Sequence, residues 1–290
     1  MLRTRLWMGA VLIAVVIGIL AFDERFRPWF PYPFLLAFVI LLAAVGTLEL
    51  VMLLDGPRRP SLVLCLAGVL GVLLANWANF ALGWDPWRVI LGAFAAVVLV
   101  AFLLEMATFV EPGNSVARIS LTLFVVAYLG VLPSFLVQLR WLPPLPGPAA
   151  DVPRGVGALA LAIFVPKCCD IGAYFTGKLI GRHPMTPRLS PKKTWEGLAG
   201  GLTAAVLTTL AINRLWPVLW GGDLAAVGFG VTVGLAGVLG DLAESLIKRD
   251  CRQKDAAQTV PGFGGVLDVI DSILFAAPVA YWWLRYQPSG

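Results

Sequence analysis

Nine apolar runs, each about as long as a helix needs to cross a hydrocarbon core of roughly 30 Å, constrain this chain more than any other feature. They lie near residues 6–22, 29–54, 61–83, 88–106, 117–139, 155–177, 195–219, 223–247 and 266–286. Pro and Gly punctuate the joins, as in PYP at 31–33, DGPRRP at 55–60, EPGN at 111–114 and PPLPGP at 143–148. In lipid every backbone amide must find its partner within the protein, which leaves helices as the reading for runs of this length. The composition agrees. Of 290 residues, 59% are hydrophobic and 13% charged, too few charges to cover a soluble globule of this size. The expected fold is an all-α polytopic integral membrane protein with about nine transmembrane helices. About five spans fall in an N-terminal region, 1–150, and about four in a C-terminal region, 151–290. The first span follows a basic start without a clear small-residue cleavage site, so it is expected to be retained.

The basic residues orient these spans. With the N-terminus inside, inner segments carry Arg3, Arg5, Arg58, Arg59, Arg118, Lys178, Arg182, Arg188, Lys192, Lys193, Lys248, Arg249, Arg252 and Lys254. Outer segments carry only Arg25, Arg27, Arg88, Arg140, Arg154, Arg214 and Arg285, and Lys167 falls within a span. This two-to-one bias places both the 178–193 and 248–264 loops in the cytoplasm and the C-terminus outside. The net charge of +5 then reflects these loops and their contact with anionic membrane lipid; no nucleic acid is expected as a partner. The four cysteines form no C-x-x-C pair and read as small core residues or incidental thiols.

Eight acids sit in or beside apolar runs: Glu49, Glu105, Asp170, Glu196, Asp241, Glu244, Asp268 and Asp271. A charge at a helix centre costs roughly 2.5–3.5 kcal/mol on insertion scales, so each must face protein, a wet cavity or the interface. Glu105 near a span end reads as a cap or an ion-pair partner. Glu49 fits either a single buried neutral acid or a functional group. Asp241, Ser245 and Lys248 share one helix face at i, i+4 and i+7, and Glu244 can pair with Lys248 at i, i+4. Asp268 and Asp271 stand at i, i+3 on the next span. The loop between these spans, KRDCRQKDAAQTVPGFGG, is basic and ends in glycines. Oxygen ligands beside such a loop suit a hard divalent cation and a polyphosphate; a structural ion-pair network is the alternative. Upstream, Lys167 and Asp170 precede GKLIGRHPMTPRLSPKKTWEG. This segment reads as a loop entering a helix, with lysines and helix-terminal amides able to hold phosphate, or simply as a cytoplasmic anchor. His183 reads as a surface loop residue.

At these residues the chain resembles the phosphatidate cytidylyltransferases, or CDP-diacylglycerol synthases. That family's signature runs S-x-x-K-R, four residues, K-D, a short spacer, P-G-H-G-G, then D-R-x-D. Here it reads Ser245-x-x-Lys248-Arg249, Lys254-Asp255, Pro261-Gly262-Phe263-Gly264-Gly265 and Asp268-Val269-Ile270-Asp271, without a gap. The upstream DIGAYF and SPKKTWEG are similar to the same family. The resemblance implies transfer of CMP from CTP to phosphatidate, giving CDP-diacylglycerol and pyrophosphate. It implies Asp241, Ser245, Lys248, Asp268 and Asp271 as catalytic residues, with Asp241 and Asp268 ligating Mg²⁺, alone or with a second cation. Lys192, Lys193, Arg249 and Lys254 would hold phosphates, and Asp170 would belong to the polar cavity. CTP, phosphatidate and membrane lipid are the implied partners, and a bacterial inner membrane with a cytoplasmic active site is the implied location. Phe263 and Val269 stand where the family has His and Arg, which reads as an adapted subgroup that keeps the metal site. A polyprenol or phytol kinase, a catalytically impaired homologue and a secondary transporter are the competing readings. Gly197-x-x-x-Gly201 and Gly230-x-x-x-Gly234 allow close helix packing, within the chain or in a homodimer.

Overall fold

The computed structural model describes residues 2–26, 29–54, 56–143, 154–253, 256–257, 259–262 and 264–286. Among these, nine helices are long and apolar enough to span a membrane. They are α1 (Leu2–Phe26), α2 (Pro33–Leu53), α3 (Leu62–Leu82, tightened to a 3₁₀ turn at Ala75–Trp77), α4 (Pro86–Ala107) and α5 (Ser115–Leu139, widened to a π turn at Ala127–Val131). After these come α6 (Arg154–Ile180), α7 (Trp195–Leu215), α8 (Gly222–Asp250) and α9 (Val266–Arg285). Each corresponds to one of the nine apolar runs, and the chain is an integral membrane protein of all-α class. Among the described residues one antiparallel hairpin interrupts the helices: β1 (Pro184–Thr186) pairs with β2 (Ser190–Thr194), with Pro184 opposite Thr194 and Thr186 opposite Ser190.

Two compact units form. One comprises Met1–Ser134 with Cys251–Val269, the other Phe135–Asp250 with Ile270–Gly290. In the first, buried acids act as helix caps. Asp23 at the end of α1 is fully buried, and its carboxylate accepts the N–H groups of Phe34 (2.9 Å) and Leu35 (3.1 Å). These are among the amides that the start of α2 cannot satisfy itself. Glu105 takes the other expected role and holds Arg118 through Nε (2.8 Å) and Nη2 (2.6 Å). Asn76 donates to Ser134 Oγ (2.9 Å) and to the Leu73 carbonyl (3.0 Å) at the 3₁₀ turn, so a carbonyl at the break in α3 finds its donor in a side chain.

In the second unit, small residues let helices approach backbone to backbone. A Cβ on Gly201 would stand 2.7 Å from the Cys169 carbonyl oxygen of α6, and one on Gly230 would stand 2.7 Å from the Val206 Cα of α7. Both Gly-x-x-x-Gly pairs are thus used within the chain, and a homodimer would need another surface. Cys65 and Cys169 are buried, and no disulfide forms among the described residues.

Candidate active site

One face of α8 carries a stripe of Gly230, Gly234, Gly237, Asp241, Glu244 and Lys248, spaced alternately by four and three residues. That spacing keeps side chains on one side of a helix. Three glycines give close packing over the first half of the stripe, and three charged residues occupy the second. The glycines decide the geometry of the charges. A Cβ on Gly237 would stand 2.7 Å from Pro166 Cβ of α6. A Cβ on Gly240, beside the stripe, would stand 2.5 Å from the Asp271 carbonyl oxygen of α9. Helices α6 and α9 therefore lie against α8 where their own ionisable groups begin. Pro166 also removes one helical hydrogen bond immediately before Lys167.

At that level four carboxylates face three ammonium groups. Lys193 Nζ lies 2.7 Å from Asp241, Lys248 Nζ 2.5 Å from Glu244, and Lys167 Nζ 3.1 Å from Asp271 and 3.7 Å from Asp170. Glu244, Lys248 and Asp271 are buried. Asp241, Glu244 and Asp271 each offer a carboxylate oxygen within 4.8 Å of the others. Three convergent hard oxygen donors fit a divalent cation such as Mg²⁺.

The sequence residues divide as follows. Asp170, Asp241, Lys193, Lys248 and Asp271 meet in this cluster, and Glu244, first read as a partner for Lys248, joins them. Ser245 is half-buried on α8, one turn after Asp241, and Arg249 is exposed at the end of that helix. Lys192 is exposed, since neighbouring side chains of a strand point to opposite faces. Lys254 and Phe263 lie outside the described residues. Val269 sits in the first turn of α9 and is half-buried.

Asp268 belongs to a different set of contacts. Gly265 is the residue before α9, and Asp268 stands three residues on; its Oδ2 accepts from the N–H groups of Gly265 (2.7 Å) and Ala256 (3.2 Å). The first is the return half of a capping box. Glu49 of α2 caps the same helix start, accepting from the N–H groups of Val266 (2.8 Å) and Leu267 (2.9 Å) and from the Thr259 hydroxyl. The two glycines that close the loop follow from this. A Cβ on Gly265 would stand 2.6 Å from Glu49 Oε2, and one on Gly264 would stand 2.7 Å from Asp268 Oδ2. Gly264 also has φ +111°, a backbone conformation costly to any residue with a side chain.

The SPKKT segment forms β2 rather than a plain loop. Thr194 then caps α7, its Oγ1 accepting from the Gly197 N–H at 3.1 Å. Glu196, in the first turn, accepts from the N–H groups of Arg182 (3.1 Å) and His183 (3.3 Å) and meets His183 Nδ1 at 2.5 Å. His183 is exposed, as a surface loop residue should be. Such short strands carry no apolar alternation, so periodicity does not mark them. What sequence reasoning missed is Glu244 as a member of the cluster and Gly237 and Gly240 as the residues that bring it together. The signal was present as the four-three repeat running from Gly230 to Lys248.

The sequence profile of the Cytidylyltransferase family matches residues 3–287. The chain is 32% identical over 304 aligned residues to the phosphatidate cytidylyltransferase of Mycobacterium bovis, covering 99% of this chain and 89% of that protein. It is 35% identical over 207 residues to phosphatidate cytidylyltransferase 4, chloroplastic, of Arabidopsis thaliana, covering 65% of this chain and 52% of that protein. A third relative, from Synechocystis, is 33% identical over 193 residues, covering 59% and 63%. The matches to the Arabidopsis relatives thus span about half of those proteins' length. With the profile covering nearly the whole chain, this protein belongs to the cytidylyltransferase family.

Proposed function

We propose that the chain transfers the cytidylyl group of CTP to phosphatidate, giving CDP-diacylglycerol and pyrophosphate at a bacterial inner membrane. The carrying observation is the cluster of Asp170, Asp241, Glu244 and Asp271 against Lys167, Lys193 and Lys248, set in a chain similar throughout to proteins of that name. A phosphate oxygen of the lipid attacks the α-phosphorus of CTP, the bond from that phosphorus to the β-phosphate oxygen breaks, and pyrophosphate leaves. A phosphate monoester has a second pKa of about 6 and is mostly dianionic at neutral pH. The nucleophile therefore needs alignment rather than a strong base. Asp241, Glu244 and Asp271 are the residues to hold Mg²⁺, which when bound supplies charge neutralisation at the phosphate oxygens. Lys193 and Lys248 hold and neutralise the triphosphate. Lys167 pairs with Asp170 and Asp271 and orients them. Asp268 stays in the proposal as a further metal-binding acid, one turn before Asp271 on α9. The positive bias of the 178–193 and 248–264 loops supports a cytoplasmic site.

The test is an assay of the purified chain in nanodiscs with phosphatidate, labelled CTP and Mg²⁺. Labelled CDP-diacylglycerol by mass is the expected product. A phosphorylated lipid alcohol would point to a kinase, and no turnover under any of these conditions would point to an impaired homologue.

A further inference from the structure

We infer that Glu49, far from the signature in sequence, is a positioning residue for Asp268. The inference rests on the metal-dependent reading above and adds a residue to it. Glu49 lies on α2 and is buried, with 4% of its surface exposed. Its two carboxylate oxygens take the N–H groups of Val266 and Leu267 and the hydroxyl of Thr259. Asp268 Oδ2 takes the N–H of Gly265. Three of the four amides left unsatisfied at the start of α9 are thus held by two acids, one from α2 and one from α9 itself. A carboxylate there also faces the positive end of the helix dipole. Because Asp268 stands in the first turn, whatever fixes that turn fixes the Asp268 side chain. Glu49 holds it from outside the helix, and Gly265 leaves room for that carboxylate, since a Cβ there would stand 2.6 Å from Glu49 Oε2.

The experiment uses the full chain in nanodiscs, with Mn²⁺ binding followed by electron paramagnetic resonance as a stand-in for Mg²⁺, and with kcat read separately. Glu49→Gln keeps the size of the side chain but turns an amide toward a backbone N–H. It is expected to weaken Mn²⁺ binding about tenfold, the low end for loss of a partner that orients a metal ligand. Thr259→Val, which removes one of three donors, should cause a smaller loss in the same direction. Glu105→Gln, which breaks the contacts of a different, half-buried acid, should leave Mn²⁺ affinity unchanged. A purely structural role would lower yield or melting temperature without moving affinity. Unchanged Mn²⁺ affinity in Glu49→Gln overturns the inference. If that variant does not accumulate, unchanged affinity in Thr259→Val overturns it. A wild-type chain that binds Mn²⁺ but makes no CDP-diacylglycerol defeats the proposed reaction while leaving the role of Glu49 standing.

Discussion

The Lys193 ammonium lies 2.7 Å from the Asp241 carboxylate, tying the last residues of the hairpin to the charged half of the α8 stripe. Two segments about 50 residues apart in sequence thus contribute opposite charges to one place. Phosphate binding can draw on the lysine while metal binding draws on the acid. Asp241→Asn should cut turnover to below about a tenth of wild type, a loss exceeding about 1.4 kcal/mol of barrier. Lys193→Met should mainly raise the KM for CTP. Lys192→Met, at the exposed neighbouring position, should have the smaller effect. Steady-state kinetics on the three variants checks the order.

Gly240→Ala should inactivate the protein without touching a charged group. Its Cβ would stand 2.5 Å from the Asp271 carbonyl oxygen, a backbone atom that cannot rotate away. Overpacking of this kind costs about 1–3 kcal/mol and displaces α9 from α8. Gly71→Ala and Gly92→Ala, which meet nothing within 4 Å, should be neutral or slightly stabilising because alanine is the better helix former. Melting temperatures and turnover of the three variants decide this.

Lys167→Met should destabilise the fold by leaving Asp271 without its ammonium. Breaking a buried pair costs about 3–5 kcal/mol, and the loss here should fall below that because Lys167 is 29% exposed. Adding Asp271→Asn should recover stability, since it removes the uncompensated charge, but not activity. Denaturation and turnover measured on the single and double variants test the separation.

Cys251 should resist a membrane-impermeant thiol reagent applied outside intact cells and react once the membrane is opened. It follows α8 directly, in the basic 248–264 segment, which the charge bias places in the cytoplasm. Labelling of Cys251 from outside would reverse the orientation. Cys65 and Cys169, which are buried, should stay unlabelled on either side.

The nine helices were legible in the sequence because membrane insertion depends on local composition. A run of about 20 apolar residues has one stable conformation in lipid, whatever surrounds it. The charged residues of the site were legible for a related reason: each is costly to bury, so its presence in a span demands a partner. Pairing at i, i+4 between Glu244 and Lys248 also follows from helix geometry alone.

Which partner each charge takes is a different matter, because that depends on helices distant in the chain. Glu49 read equally well as an isolated buried acid, and only the fold brings it to the amides of Val266 and Leu267, more than 200 residues away. Asp268 and Asp271 look equivalent in sequence, three residues apart on one helix. In the fold Asp268 Oδ2 binds backbone amides while Asp271 pairs with Lys167. Lys192 and Lys193 are neighbours of the same type, and strand geometry alone separates the exposed one from the one that meets Asp241. Sequence determined the spans and the set of charges, since both follow from transfer energies that are local. Tertiary structure decided which charges meet, since that depends on where glycines allow helices to touch.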